Sequence, residues 1–385
     1  MFAKRFKDRL LSKKQAGLYR NPPEIRKRQG KYLFIGSQKV LNFSSNDYLG
    51  LGSSKKLRKK VADNFLKYGT TSSSSRLVSG NYSIITAAEK EYARYFGYDQ
   101  ALFFPSGYQA NLGMISTFFE PGDTIIFDKH IHASSVKGIT LSGADFYGYN
   151  HNAMSHLSKR LENYDQSRTA VITESLFSMD GDFLDVEGLK KLKQRYGFLT
   201  IVDEAHAFGA LGDPSFKTGC GIARDAADIA VGTFGKALGL FGAFVLMPQG
   251  FKEYLINFSS PFIYTTTLPE AHAASAMDVL EMVRESKDKR RHLSEVSRHM
   301  KECLSHEGFK VTGEAHILAV EIGEENMAVT VFQKLLEKNI FVFPARYPTV
   351  PMGKAILRLG MTALHTQEDV KYFVGSLRKI YGKIE

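Results

Sequence analysis

Two charged residues at the ends of apolar runs are the first candidates for chemistry. The run Leu199-Thr-Ile-Val-Asp203 has the pattern of a buried strand that ends on a carboxylate. A buried charge without a partner is too costly to keep, so Asp203 needs a counterpart. A protonated pyridine nitrogen would serve, and the pair would make the ring an electron sink. A Mg²⁺ ion or the amides of a capped helix would serve as well. Further on, Ile229-Ala-Val-Gly-Thr233-Phe-Gly-Lys236 is a second apolar run, here leading to a lysine flanked by Gly235 and Gly239. A lysine leaving a sheet end into a cleft is desolvated, which favours the neutral, nucleophilic amine. The segment lacks the spacing of a phosphate-binding Walker loop.

Three more strand ends offer matching groups. Phe104-Pro-Ser106-Gly107-Tyr108 reads as strand, turn and helix start, and the unpaired amides of such a start hold phosphate. His132, in His130-Ile-His132-Ala-Ser, follows another strand and can stack on an aromatic ring. Ser178, in Glu174-Ser-Leu-Phe-Ser178, places a hydroxyl within reach of a ring substituent. Each feature alone has a plain structural reading. A lysine, a carboxylate, a phosphate turn, a stacking histidine and a hydroxyl on successive strand ends together point to pyridoxal phosphate.

The elements that position these residues follow from periodicity. From about residue 84 to 245, short apolar runs (101–105, 124–127, 170–173, 199–202, 229–233 and 243–247) alternate with helical stretches. That alternation predicts an α/β fold with a mostly parallel central sheet, whose ligands bind beyond the carboxyl ends of the strands. After Pro269 the pattern changes to long helices over 269–307 and strands near 316–323, 340–344 and 355–361. A final helix is capped by Thr366, with Val370, Phe373, Val374, Leu377 and Ile380 on one face. The expected division is an N-terminal helix and arm over 1–50, a large cofactor domain over 51–275 and a small α+β domain over 276–385.

Composition narrows the class. The chain has 385 residues, 24% of them charged and 43% hydrophobic, as in an ordinary soluble globular protein. No stretch has the length and apolarity of a membrane span, so no membrane partner is expected. Cys220 and Cys303 form neither a metal-ligand spacing nor a disulfide framework, which suits the cytoplasm and predicts no metal. The net charge of +11 gathers at Lys4–Arg9, Lys55–Lys60 and Lys287–Arg291, fields that attract polyanions. Without aromatic interleaving or a nucleic-acid motif, solvated helix faces are the simpler reading and no nucleic-acid role is expected. The basic N-terminus, with Phe2, Phe6 and Leu10 on one face, is expected to be a docked surface helix rather than a targeting sequence.

From about residue 40 onward the sequence resembles the α-oxoamine synthases, pyridoxal-phosphate enzymes of fold type I. The resemblance is carried by Asn42-Phe-Ser-Ser-Asn-Asp-Tyr-Leu-Gly-Leu51, Pro105-Ser-Gly-Tyr108, His132-Ala-Ser134 and Thr173-Glu-Ser-Leu-Phe-Ser-Met-Asp-Gly-Asp182. Asp203-Glu-Ala-His206, Thr233-Phe-Gly-Lys236, Ile263-Tyr-Thr-Thr-Thr-Leu-Pro269 and Pro348-Thr-Val-Pro351 complete it. It implies that Lys236 holds the cofactor covalently and later takes the substrate's Cα proton, while Asp203 pairs with the pyridinium. It further implies that His206 and Ser178 address the ring oxygen and that His132 stacks on the ring. Ser106, Gly107, Tyr108 and Thr233 would hold the phosphate, joined by Thr265 or Thr266 from a second subunit of a homodimer. Arg358, assisted by Asn46, would hold the amino-acid carboxylate, and Thr349 and Arg20 would contact substrate. The implied substrates are L-alanine and a pimeloyl thioester on coenzyme A or acyl carrier protein. Sister reactions with another amino acid or acyl chain are the alternative. The chain departs from the family at Thr71-Ser-Ser-Ser-Ser75, where relatives carry a Gly-Ser-Gly-Gly run.

Overall fold

The structure is a computed structural model that describes residues 2–382. It divides into two compact units. One comprises residues 54–177 and 183–290; the other comprises residues 2–53, 178–182 and 291–382 of the described chain. Residues 1 and 383–385, the outer ends of the expected arm and small domain, lie outside the described residues.

The larger unit is built on a seven-stranded sheet. Its strands are β1 (Gln100–Phe104), β2 (Thr124–Asp128), β3 (Asp145–Tyr149), β4 (Thr169–Glu174), β5 (Leu199–Asp203), β6 (Ile229–Thr233) and β7 (Ala243–Met247). Their spatial order is β1-β7-β6-β5-β4-β2-β3. Only β7 runs against its neighbours, pairing antiparallel with both β1 and β6. The other pairs are parallel, so the mostly parallel α/β expectation holds.

Both faces of the sheet are covered, and the sequence shows why. Ile125, Ile172, Ile201 and Val231 point into one core with Met114, Ile115 and Ile139. The intervening Ile126, Val171 and Val202 point into the opposite core with Leu157, Leu161 and Leu189. Continuous apolar runs are the signature of strands buried on both sides. Each such side chain contributes about 1.5–3 kcal/mol of burial. Gly232, inside β6, leaves room for aromatic rings. A Cβ there would lie 2.2 Å from Phe244 Cζ and 2.7 Å from Phe208 Cδ2.

The helix Glu270–Arg284 belongs to this larger unit, where it packs on the helices Lys55–Tyr68 and Ser83–Phe96. The compact units therefore part near residue 290, inside the helix Lys287–His306, and not near residue 275. Tyr92 illustrates the packing, its hydroxyl donating to the Ala276 carbonyl at 2.9 Å.

The smaller unit holds two four-stranded sheets. The first is a meander of Ile25–Gln29, Tyr32–Ile35 and Gln38–Asn42, extended in parallel by Ile340–Phe341. The second orders Val311–Thr312, Ile317–Gly323, Ala355–Gly360 and Phe343–Ala345, all antiparallel. The expected final helix is Gln367–Tyr381. Thr366 and Asp369 form a reciprocal capping box, and Phe373, Leu377 and Ile380 are buried.

The N-terminal helix differs from expectation. Phe2–Gln15 is helical, but none of its residues is buried within the chain. Phe2 is 67% exposed and Leu10 50%, so the helix is not docked on the rest of the described chain.

Candidate active site

A cavity of about 200 Å³ opens at the carboxyl ends of the parallel strands, within the larger unit. Glu174, Asp203 and Thr233 reach it as the last residues of β4, β5 and β6. His132 reaches it from the turn after β2, and Gly107 and Tyr108 from the helix that follows β1. His206 and Lys236 line it just beyond β5 and β6. Five sequence segments thus converge because each parallel strand ends on the same side of the sheet.

Ser106 caps the helix Gly107–Phe118, its hydroxyl accepting from the Gln109 amide at 3.2 Å. The following amides and the positive end of the helix dipole suit an anion at this end of the sheet. The Thr233 hydroxyl donates to the Gly242 carbonyl at 3.0 Å and accepts from the Gly235 amide at 3.1 Å, which fixes the turn leading to Lys236. Asp203 is held on both oxygens. Oδ1 accepts from the Ala205 amide at 2.9 Å and Oδ2 from the Asn111 side chain at 2.8 Å. Loss of hydration keeps His132 below the ordinary histidine range; the Asp203 charge opposes this shift and the Lys236 charge adds to it. Glu204, fully buried beside Asp203, is pushed up to about 7 by burial. Its hydrogen bonds to Ser175 (2.6 Å) and to the Ala223 amide (2.7 Å) pull the other way.

The donor set fits pyridoxal phosphate. An amine, a carboxylate, a histidine and a helix start line one cavity, which suits that cofactor's aldehyde, pyridine nitrogen, ring and phosphate. A family model described as aminotransferase class I and II matches residues 38–377. The chain belongs to this family. Its relatives include the 8-amino-7-oxononanoate synthase of Haemophilus ducreyi, 37% identical over 97% of this chain and 99% of that one. The 8-amino-7-oxononanoate synthase of Chlorobaculum parvum is 36% identical over 98% and 97%. Among solved structures, Sphingomonas wittichii serine palmitoyltransferase superposes with a TM-score of 0.91 at 30% identity, covering 98% of this chain and 97% of that one. The 8-amino-7-oxononanoate synthase of Francisella tularensis gives 0.77 at 31% identity, over 90% and 98%.

Within this family member, the expected site residues fall into distinct groups. Gly107, Tyr108, His132, Asp203, His206, Thr233 and Lys236 share the cavity. Thr265 and Thr266 line a separate cavity of about 320 Å³ with Ser75, Leu77, Val78 and Tyr264. Ser178, Asn46 and Arg358 belong to the smaller unit and cluster there. Arg358 donates through Nε to the Ser178 carbonyl at 2.6 Å, and its Nη1 lies 3.4 Å from Asn46 Oδ1. The Tyr48 hydroxyl also donates to Asn46 Oδ1, at 3.1 Å. Thr349 is exposed in a turn, its amide donating to the Arg346 carbonyl at 2.9 Å. Arg20 is exposed next to Tyr19, whose carbonyl accepts from Arg346 at 3.4 Å.

Sequence reading missed Asn111, Ser134 and Glu174, which all line the cavity. Asn111 was detectable, because it sits one helical turn after Gly107 and so shares its face. Glu174 ends a strand just as Asp203 does.

The hydroxyl-rich loop is stitched down. Ser72 donates to the Thr267 carbonyl at 2.9 Å, and the Thr267 amide donates to the Ser74 carbonyl at 3.0 Å. Ser73 adopts φ +51°, a left-handed conformation that glycine takes more readily. The basic run 55–60 is largely neutralised. Lys56 pairs with Glu285 at 3.1 Å, Lys59 with Asp63 at 2.8 Å, and Lys60 with Asp278. The solvated-face reading fits those lysines better than a polyanion site.

Proposed function

We propose that the protein condenses L-alanine with a pimeloyl thioester to give 8-amino-7-oxononanoate, carbon dioxide and the free thiol carrier, a step of biotin synthesis. The observation that carries this reading is the shared cavity of Lys236, Asp203 and His132, taken with the 8-amino-7-oxononanoate synthase relatives. When bound, pyridoxal phosphate supplies an electron-withdrawing ring conjugated to the amino acid's Cα. Lys236 anchors the cofactor and then serves as the base that takes the Cα proton of alanine. Asp203 would pair with the pyridine nitrogen and favour its protonated form. Ser106, Gly107, Tyr108 and Thr233 would hold the phosphate, and His132 would cover the ring. The resemblance gives His206 and Ser178 the ring oxygen.

The resemblance gives Arg358, with Asn46, the alanine carboxylate, and gives Thr349 and Arg20 contacts to substrate. Deprotonated alanine attacks the thioester carbonyl; the Cα–C bond forms and the thiolate leaves. Loss of the alanine carboxylate as carbon dioxide and return of a proton complete the balance. The working form is a homodimer in which Thr265 or Thr266 reaches the partner's phosphate. The exposed Leu77, Val78 and Tyr264 beside those threonines support it. A cytoplasmic location agrees with two free cysteines. No helix among the described residues is long and apolar enough to cross a membrane.

The serine palmitoyltransferase likeness favours L-serine with a palmitoyl donor as the second reading. Incubating the loaded protein with alanine, glycine or serine and with pimeloyl or palmitoyl thioesters, then weighing the product, separates the two. The first reading expects 8-amino-7-oxononanoate from alanine alone. A long-chain product from serine overturns it.

A further inference from the structure

Around the cavity, Asn111 and Ser134 connect two groups that the reaction uses. Asn111 is buried on the helix Gly107–Phe118, and Ser134 is buried in the first turn of the helix Ala133–Ser142. The Asn111 side-chain nitrogen lies 2.8 Å from Asp203 Oδ2 and 3.0 Å from Ser134 Oγ. Ser134 Oγ in turn lies 2.7 Å from His132 Nδ1, and the Ser134 amide donates to the same nitrogen at 3.3 Å.

The direction of every bond in this chain is fixed by chemistry. A carboxylate only accepts, so the Asn111 atom facing Asp203 is the NH₂ group. That group has two hydrogens, and the second goes to Ser134 Oγ. The backbone amide of Ser134 can only donate, and it donates to His132 Nδ1, so that nitrogen is an acceptor. The serine hydroxyl, which accepts from Asn111, then turns its own hydrogen to the same nitrogen. His132 Nδ1 therefore receives two donors and must present a lone pair. The ring proton is left on Nε2.

We infer that Asp203, Asn111, Ser134 and His132 form a one-way hydrogen-bond relay in which Asn111 and Ser134 are positioning residues that hold His132 as its neutral Nε2–H tautomer. The relay couples the carboxylate facing the pyridine nitrogen to the histidine covering the ring. It leaves Nε2 as the ring's single N–H donor for charge developing on a substrate oxygen. Protonating Nδ1 would break two hydrogen bonds, and loss of hydration separately lowers the proton affinity of His132. The catalytic consequence rests on the function proposed above; the tautomer itself does not depend on the substrate.

The test is a two-bond proton–nitrogen NMR spectrum of the cofactor-loaded enzyme labelled in histidine, with the His132 signals assigned through His132→Asn. The wild type is expected to show a bare Nδ1 and a protonated Nε2 at neutral pH. Ser134→Ala removes the hydroxyl donor and should give a mixture of tautomers, and Ser134→Thr should restore the single one. Asn111→Ala should also give a mixture, because the serine hydroxyl then loses the donor that orients it. A proton on Nδ1 in the wild type overturns the relay, and this result needs no variant to fold. An unchanged tautomer in Ser134→Ala overturns it too. The expected loss of kcat in Ser134→Ala is about tenfold with the KM for alanine unchanged. If the tautomer is as expected while no condensation is seen with any thioester, the proposed function fails and the relay stands.

Discussion

The two ends of the seven-stranded sheet both carry cavities, and they differ in kind. The larger, about 590 Å³, lies at the amino ends of the strands, where Asp123, Thr169, Leu199 and Asp228 enter or precede β2, β4, β5 and β6. Its charged groups are paired with each other. Arg168 meets Asp123 at 2.9 Å, and Lys193 meets Asp228 at 2.5 Å. Phe118, Phe198 and Phe251 fill much of its wall. The smaller cavity, at the carboxyl ends, gathers an amine, carboxylates, two histidines and a helix start from five segments. Volume alone selects the wrong end. Convergence of complementary polar groups on a cofactor-sized space selects the right one.

Substitutions can break that contrast, and the largest effects belong at the carboxyl ends. Lys236→Ala is expected to lower turnover on the order of 10⁴-fold or more while the fold survives, since both anchor and base are lost. Turnover by the purified variant, checked against its circular dichroism, measures this. Asp203→Asn keeps the shape but removes the charge that the proposed function sets against the pyridine nitrogen. Its kcat should fall about a hundredfold or more, read in steady-state kinetics.

Away from both cavities, stability and not catalysis should respond. Glu89 is buried and paired with Arg76 (2.7 Å) and Lys252 (2.7 Å), and it accepts from the Phe103 amide at 3.0 Å. Glu89→Ala strands two cations and should cost about 3–5 kcal/mol in denaturant unfolding.

A smaller effect depends on pH. Burial lowers His272 to about 4, so it folds neutral. Its contribution is complete above pH 6.5 and declines as pH falls from 6.5 toward 4, by about 1.4 kcal/mol per pH unit. Glu204 has the opposite sign. Raised to about 7, it favours the fold below pH 4.5, and that contribution is lost as pH rises toward 7. Between pH 4.5 and 6.5 the two oppose each other. Relative to wild type, His272→Gln should make stability fall with rising pH, and Glu204→Gln should make it rise. Unfolding midpoints at the two pH values measure both slopes.

The smallest effect belongs at the amino ends. Lys193→Met should change stability by about 0–1 kcal/mol, because a half-exposed pair contributes little, and should leave kcat unchanged. A loss of activity there would give the larger cavity a functional role.

Much of this molecule was legible because both sheet faces are buried. Runs such as Ile125-Ile-Phe127 and Ala170-Val-Ile172 expose no polar alternation, and their ends mark the site. Edge strand β3 escaped notice because Asp145-Phe-Tyr-Gly-Tyr149 is half exposed and carries an internal glycine. The meander over residues 25–42 is mostly exposed, though Gly30 and Gly36, at φ +57° and +56°, mark its two turns. Lys236, Asp203 and Thr233 stood out because each follows or ends an apolar run. Asn111 could be placed by its position one turn after Gly107, but its bonds to Asp203 and Ser134 run between elements, and no local pattern records those. The N-terminal helix was legible as a helix, but periodicity does not say what covers an apolar stripe.

The central claim is that the carboxyl ends of this sheet hold pyridoxal phosphate covalently on Lys236. Borohydride reduction of the cofactor-loaded protein, followed by proteolysis and mass mapping, tests it most directly. The account predicts the reduced cofactor on the peptide containing Lys236 and on no other. Cofactor fixed to a different lysine, or none fixed after loading with excess, would contradict it.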